Sequence, residues 1–240
     1  MRQIILPSKT EAEVKEITGV EETILEDAIQ AKYPDADSRF VAACTLSLGG
    51  KKSPSLNDIL NLHSGDRLRL LIEIRRESLG DIVEDSFLCE DKECKARSFF
   101  RVDLADVEDL PLELEGNVPL SNGRNAHYTF PSGASELMMK QSLRSQQNAK
   151  GQQNMKKKMS VFNAIMLSRK VTLEGVLATE EALNALSLRD REEIIERMMR
   201  PVGGPDTKIE QECEKCGRSW TGRVEGLPAF LFPKRAGLVA

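Results

Sequence analysis

Histidine is nearly absent: the 240 residues contain two, His63 and His127. General acid–base catalysis, activation of Ser or Cys nucleophiles and most catalytic zinc sites draw on imidazole, so this scarcity disfavours an enzyme. Aromatic residues make up 5% of the chain, with a single tryptophan, which leaves few platforms for stacked bases. No run approaches the roughly 18 consecutive apolar residues of a membrane span. The opening MRQIILPSKTEAE lacks the apolar segment of a secretory signal, and a cytoplasmic location is the expectation. Excess charge of one sign is also missing. Lys+Arg total 34 against 38 Asp+Glu, a net of −4, which excludes a generally basic nucleic-acid binder and an acidic solvating tail.

The near-neutral average conceals an asymmetry. Residues 1–120 carry 15 basic and 25 acidic side chains, and residues 121–240 carry 19 and 13. The two halves should therefore attract each other, or attract partners of different charge. A length of 240 residues suits one large domain or two small ones, each able to bury a core.

Sliding the chain against itself finds one weak repeat. At an offset of 124, Leu6-Pro7-Ser8 falls on Phe130-Pro131-Ser132, Leu62 on Leu186, Asp66-Arg67 on Asp190-Arg191, Gly80 on Gly204 and Cys89 on Cys213. At 122, Cys94 meets Cys216 and Arg101-Val102 meets Arg223-Val224, because one cysteine pair is spaced C-x4-C and the other C-x2-C. This order of features predicts an α+β fold of two pseudo-symmetric lobes, residues 1–120 and 121–240. The breaker-rich stretch Leu110–Gly123 is expected to join them.

Three helices stand out. Ser187 reads as the N-cap of a helix to Met199 with an Ile194, Ile195, Met198 and Met199 stripe. Ser64–Arg76 presents Leu68, Leu71, Ile72 and Arg75 at helical spacing, and Val20–Lys32 presents Val20, Ile24, Ala28 and Ala31. From Lys140 to Lys170 there are eight basic residues, Lys156, Lys157 and Lys158 among them, and no acidic one. This run reads as a solvated helix and loop drawn to the acidic first lobe, or as a polyanion contact. Leu48-Gly-Gly-Lys-Lys-Ser53 is not a phosphate loop, because Thr45 and Lys52 occupy positions where that pattern needs Gly and Ser/Thr.

Of five cysteines, Cys44 sits in an apolar run and reads as core. The other four form two close pairs, Cys89/Cys94 and Cys213/Cys216. Each pair lies between two strand-like segments, residues 82–88 and 98–104 in the first half and 207–212 and 219–224 in the second, so each reads as the tip of a hairpin. A structural zinc wants four ligands and each half offers two. One shared Zn(II) per chain, bound by Cys89, Cys94, Cys213 and Cys216, is therefore the expectation. Three alternatives remain at this stage: reduced buried thiols, a Cys213/Cys216 redox pair, and zinc ions shared between chains. The apolar Phe230-Leu231-Phe232 near the C-terminus reads as packing on its own lobe or as a hook for a partner.

The LPS start, the block Gly65–Gly80, the Cys89/Cys94 pair followed by Val102-Asp-Leu104, and Cys213-Glu-Lys-Cys216-Gly-Arg-Ser-Trp220 with Phe230-Leu-Phe232 resemble the baseplate hub assembly chaperones of T-even-like contractile tailed phages. Relatives of that family also occur in phage-like contractile injection systems. The resemblance implies a non-enzymatic assembly factor or minor baseplate component acting on other tail and hub proteins, with the four cysteines as zinc ligands and no small-molecule substrate. The competing expectation is a zinc-ribbon nucleic-acid-binding regulator; a thiol oxidoreductase is the third class.

Overall fold

The computed structural model describes residues 1–148, 161–198 and 203–223. The chain opens with a hairpin of β1 (Arg2–Ile5) and β2 (Glu11–Val14), then α1 (Gly19–Gln30) and α2 (Ala36–Cys44), then a second hairpin of β3 (Thr45–Leu48) and β4 (Lys51–Lys52). These strands make one antiparallel sheet in the order β1-β2-β3-β4. Gly49 and Gly50, both at positive φ, turn the second hairpin, the conformation that two-residue hairpin loops require; the glycines that faintly suggested a phosphate loop serve this turn. Helices α3 (Leu56–Asn61) and α4 (Ser64–Leu79) follow, and then the hairpin of β5 (Ile82–Leu88) and β6 (Arg97–Asp103). Leu25, Phe40, Cys44, Ile59, Leu70, Ile72 and Leu104 form the first core.

The short β7 (Asp109–Leu110) leads to a hairpin of β8 (Glu115–Pro119) and β9 (Asn125–Thr129). Next come α5 (Gly133–Asn148), α6 (Val161–Ser168), the hairpin of β10 (Thr172–Leu173) and β11 (Val176–Leu177), then α7 (Glu180–Asn184) and α8 (Leu188–Met198). The second four-stranded sheet runs β8-β9-β10-β11 over a separate core that includes Val118, Tyr128, Met166, Leu183 and Ile194. The chain then forms β12 (Gly204–Pro205) and a last described hairpin of β13 (Lys208–Glu212) and β14 (Ser219–Arg223).

Several expectations shift. Leu110–Gly123 is not a bare linker, because the Ser121-Asn-Gly123 breakers turn the β8–β9 hairpin. Gly123 sits at φ +81 and the Leu120 N–H donates to the Arg124 carbonyl at 2.8 Å. Leu6-Pro7-Ser8 and Phe130-Pro131-Ser132 do not occupy matching places. The first is the β1–β2 turn, with the Leu6 N–H donating to the Thr10 carbonyl at 2.9 Å; the second follows β9, where the Pro131 carbonyl accepts from Ser64 N–H at 2.9 Å. Proline before a polar residue suits both a turn and a helix approach, so the shared tripeptide misled. The buried side of α1 is Glu21, Leu25 and Ala28: Ala28 is buried as expected, but Glu21 and Leu25 take the places expected of Val20 and Ile24, and Val20 is exposed. In α4, Arg69, Leu70, Glu73 and Ile74 are buried beside Ile72 and Arg75, since this helix packs against elements of both halves. The helix runs three residues past Arg76 to Leu79, where Gly80 at φ +84 ends it.

The halves meet along α4. The β12 strand pairs with β7, Gly204 opposite Leu110 and Pro205 opposite Asp109. Arg67 donates to Glu136 across this seam at 2.8 Å, and within the first half Arg69 steadies β7 by donating to Asp109 at 2.7 Å. The basic run contributes as well: the Lys140 ammonium donates to the Pro34 carbonyl at 3.0 Å and Arg144 donates to the Lys32 carbonyl. Arg169 is buried.

One polar cluster in the first core gives a pH expectation. Thr18 caps α1 in a capping box with Glu21, and Lys15 donates to the same carboxylate at 2.6 Å. Burial acts to raise the Glu21 pKa, but the Lys15 and Thr18 hydrogen bonds outweigh it and lower it to about 2. A carboxylate depressed in the native state stabilises above its unfolded pKa and ceases to do so as pH falls through the native one. Stability from this group should therefore be intact above about pH 4.5 and lost on acidification towards about pH 2. Denaturant midpoints of the wild type and Glu21→Gln should converge across that window; equal acid sensitivity of the two proteins throughout would contradict it.

Candidate metal centre

The β5–β6 and β13–β14 hairpins, one from each half of the chain, meet at their tips. In β5–β6 the register runs from Ile82–Asp103 to Leu88–Arg97, so Phe87 and Phe100 share the face opposite to Phe99. In β13–β14, Gln211 pairs with Trp220. Trp220 stacks on Phe87 with ring centroids 4.4 Å apart and an interplanar angle of 8°, and on Phe100 at 5.7 Å. A two-stranded hairpin is marginal by itself in water, and this aromatic sandwich gives each a surface to pack on. Polar links add orientation: Arg218 pairs with Asp91 at 2.7 Å and the Glu214 N–H donates to the Ser98 hydroxyl at 3.3 Å.

Both tips are built alike. The Cys89 N–H donates to the Ala96 carbonyl at 2.8 Å and the Cys213 N–H to the Arg218 carbonyl at 2.9 Å. After the second cysteine of each pair the backbone turns left-handed, at Lys95 (φ 43°) and Gly217 (φ 69°). Glycine tolerates that turn freely. In the longer first tip, the Asp91 carboxylate instead braces the loop by accepting from the Glu93 and Cys94 N–H groups at 2.9 and 3.1 Å.

As a result the four sulfurs of Cys89, Cys94, Cys213 and Cys216 lie within 4.8 Å of one another. Two approaches cross between hairpins, Cys89 to Cys216 at 3.6 Å and Cys94 to Cys213 at 3.7 Å. Sulfurs tetrahedrally placed at about 2.3 Å from a zinc ion stand about 3.8 Å apart, so this set could hold a metal ion. Cys89 and Cys213 are buried, Cys94 is half-buried and Cys216 is exposed. The Cys216 and Lys215 N–H groups pull the Cys213 thiol down to about 6. Against a lowering contact from the Asp91 backbone, burial and the neighbouring sulfurs push Cys89 up to about 12. Sulfurs this close cannot all ionise unless a cation offsets their charge, and a divalent ion at the centre would do so with no open coordination position.

The other candidate residues lie elsewhere. Cys44 is fully buried in the first core, where burial raises its thiol to about 12. His63 caps α4 through Nδ1, which accepts from Gly65 N–H at 3.1 Å, and His127 lies on β9 beside Asn117 and Glu115. Lys156, Lys157, Lys158, Phe230, Leu231 and Phe232 fall outside the described residues. Trp220, Asp91, Arg218 and Ser98 were not anticipated as parts of the site. Only the clustering of Trp220 and Arg218 beside Cys216 hinted at them.

A family model described as T4 bacteriophage base plate protein matches residues 1–232. Neither the curated proteins nor the solved structures gave a match to the chain. No described helix is long and apolar enough to cross a membrane.

Proposed function

We propose, from the premise that this chain belongs to the T4 bacteriophage base plate protein family, that it is a non-enzymatic assembly factor or minor component of the baseplate hub. In this reading it is held in its working shape by one structural Zn(II) per chain, with Cys89, Cys94, Cys213 and Cys216 as ligands. It acts in the cytoplasm on other tail and hub proteins and is carried into the baseplate. The observation that carries the reading is the convergence of four sulfurs from residues more than a hundred positions apart. A site filled by four thiolates supplies cross-linking and leaves no position for a reactive water, which suits a structural component.

The lobes, residues 1–120 and 121–240, with β8 numbered in the first but paired in the sheet of the second, are read as copies of one unit. Supporting this, the two four-stranded sheets share an order, and each half ends in a cysteine-tipped hairpin. Asp66 accepts from the Ser8 N–H at 2.9 Å, and Asp190 accepts from the Ser121 N–H at 2.8 Å. Each aspartate near the start of α4 or α8 thus anchors the turn of the first hairpin of its own half. Phe230, Leu231, Phe232 and Lys156–Lys158 are proposed as further partner contacts. The nucleic-acid alternative rested on the basic run, and Lys140, Arg144 and Arg169 are occupied or buried within the protein.

Metal analysis of the purified protein tests the site: about one zinc per chain, removable by chelator, is expected, and a metal-free protein with all four thiols reactive would end the zinc reading. Deletion of the gene tests the role. It should block tail assembly at the hub, and normal tails from the deletion would remove the assembly reading while leaving the metal result standing.

A further inference from the structure

The outward face of the β5–β6 hairpin combines exposed apolar and basic side chains. Arg97, Phe99 and Arg101 alternate along β6 on the face turned away from the Trp220 stack, and all three are exposed. Phe99 is 69% exposed. Leu88, 61% exposed, is paired in register with Arg97 and lies diagonally beside Phe99. Single exposed apolar residues are ordinary, but two large ones side by side on one strand pair form a contact centre. Among the described residues neither arginine makes an ion pair and β5 and β6 pair with no further strand, which leaves edges able to take one.

We infer that this Arg97–Phe99–Arg101 row docks an extended segment of another base plate component. That segment carries an apolar residue flanked two positions to either side by Asp or Glu. Because side chains two apart share a strand face, a strand added at the free edge of β6 places its apolar residue beside Phe99, with Leu88 on the far side of that ring, and its carboxylates beside the two arginines. The apolar pair supplies affinity, and the charges set register and partner choice.

A second copy of this chain fits poorly: antiparallel pairing centred on Phe99 would put Arg97 opposite Arg101 of the other copy, and like charges facing each other are destabilising. A polyanion also fits poorly, since the face belongs to the acidic half and Glu84 lies opposite Arg101. The inference concerns the outer face and does not require that zinc fills the centre on the inner side.

The test is a photo-crosslinking residue, benzoylphenylalanine, in place of Phe99 in cells producing complete tails, with the linked peptide mapped by mass spectrometry. The expected product joins position 99 to another tail protein at an acid-x-apolar-x-acid segment. Its yield should fall at least tenfold when Arg97→Glu and Arg101→Glu are added, with metal content and Trp220 emission unchanged. A link to a second copy, to nucleic acid or to a segment without flanking carboxylates overturns the inference. So does an undiminished yield after charge reversal, or no link at all.

Discussion

Replacing Cys213 by serine is expected to abolish metal binding and to release the two hairpins from each other while both lobe cores stay folded. The cores, one around Phe40 and Leu70 and the other around Tyr128 and Ile194, contain none of the four sulfurs. What an ion at the four sulfurs would hold is the pair of two-stranded hairpins, whose mutual packing otherwise rests on Trp220 against Phe87 and Phe100. A ligand that binds only the native state stabilises it by about 2.7 to 4.1 kcal/mol at 100 to 1,000 times its dissociation constant, and a loss of that size is expected. The chain has a single tryptophan, so fluorescence reports the hairpins without labelling. Cys213→Ser, Cys89→Ser and chelator treatment should each shift Trp220 emission to the red, and hydrogen exchange should quicken in β5, β6, β13 and β14 ahead of either core. Cys44→Ala, in the first core, should keep the metal. Unchanged emission and full zinc content in Cys213→Ser would remove the four-sulfur clamp from the account.

How much of this was legible depended on the range of the interaction. Helices α4 and α8 and the four hairpin strands could be read from local periodicity and from the cysteines at their tips, because caps, stripes and turns act over a few residues. The clustering of the four cysteines was legible for a different reason: a structural zinc would demand four ligands, and that demand turned two separate pairs into one expected long-range contact. Contacts with no such requirement were opaque. Nothing local marks Trp220 as the partner of Phe87, or Asp91 as both loop brace and ion-pair partner of Arg218. The LPS/FPS match shows the opposite error. Leu6 is placed like Leu120, each ahead of a left-handed turn residue, Lys9 at φ 67° and Gly123 at φ 81°, and this correspondence of geometry leaves almost no identity to detect.

Gly80 and Gly204 fall opposite each other at the offset of 124, yet alanine at the two positions should have very different effects. Both have positive φ, +84° and +89°, so both would strain an alanine backbone, by about 1 to 2 kcal/mol. At Gly80, which ends α4, a Cβ would meet nothing within 4 Å, and the strain is the whole effect. At Gly204 it would stand 2.5 Å from the Cα of Gly65, and at the neighbouring Gly203 a Cβ would stand 1.9 Å from the Pro111 carbonyl oxygen. These obstacles are backbone of the first half, facing Gly203 and Gly204 across the seam, and forcing them back adds about 1 to 3 kcal/mol. Gly204→Ala should therefore lower stability by about 2 to 5 kcal/mol, clearly more than Gly80→Ala, in paired denaturant titrations. The consequence should reach the metal. Gly204 and Pro205 pair with Leu110 and Asp109, and β13 begins at Lys208, so the seam sets where the second cysteine tip arrives. A widened seam moves Cys213 and Cys216 away from Cys89 and Cys94, and zinc affinity should weaken in Gly204→Ala while remaining normal in Gly80→Ala. Equal stability and equal zinc affinity in the two variants would show that the halves are not held in register at this contact.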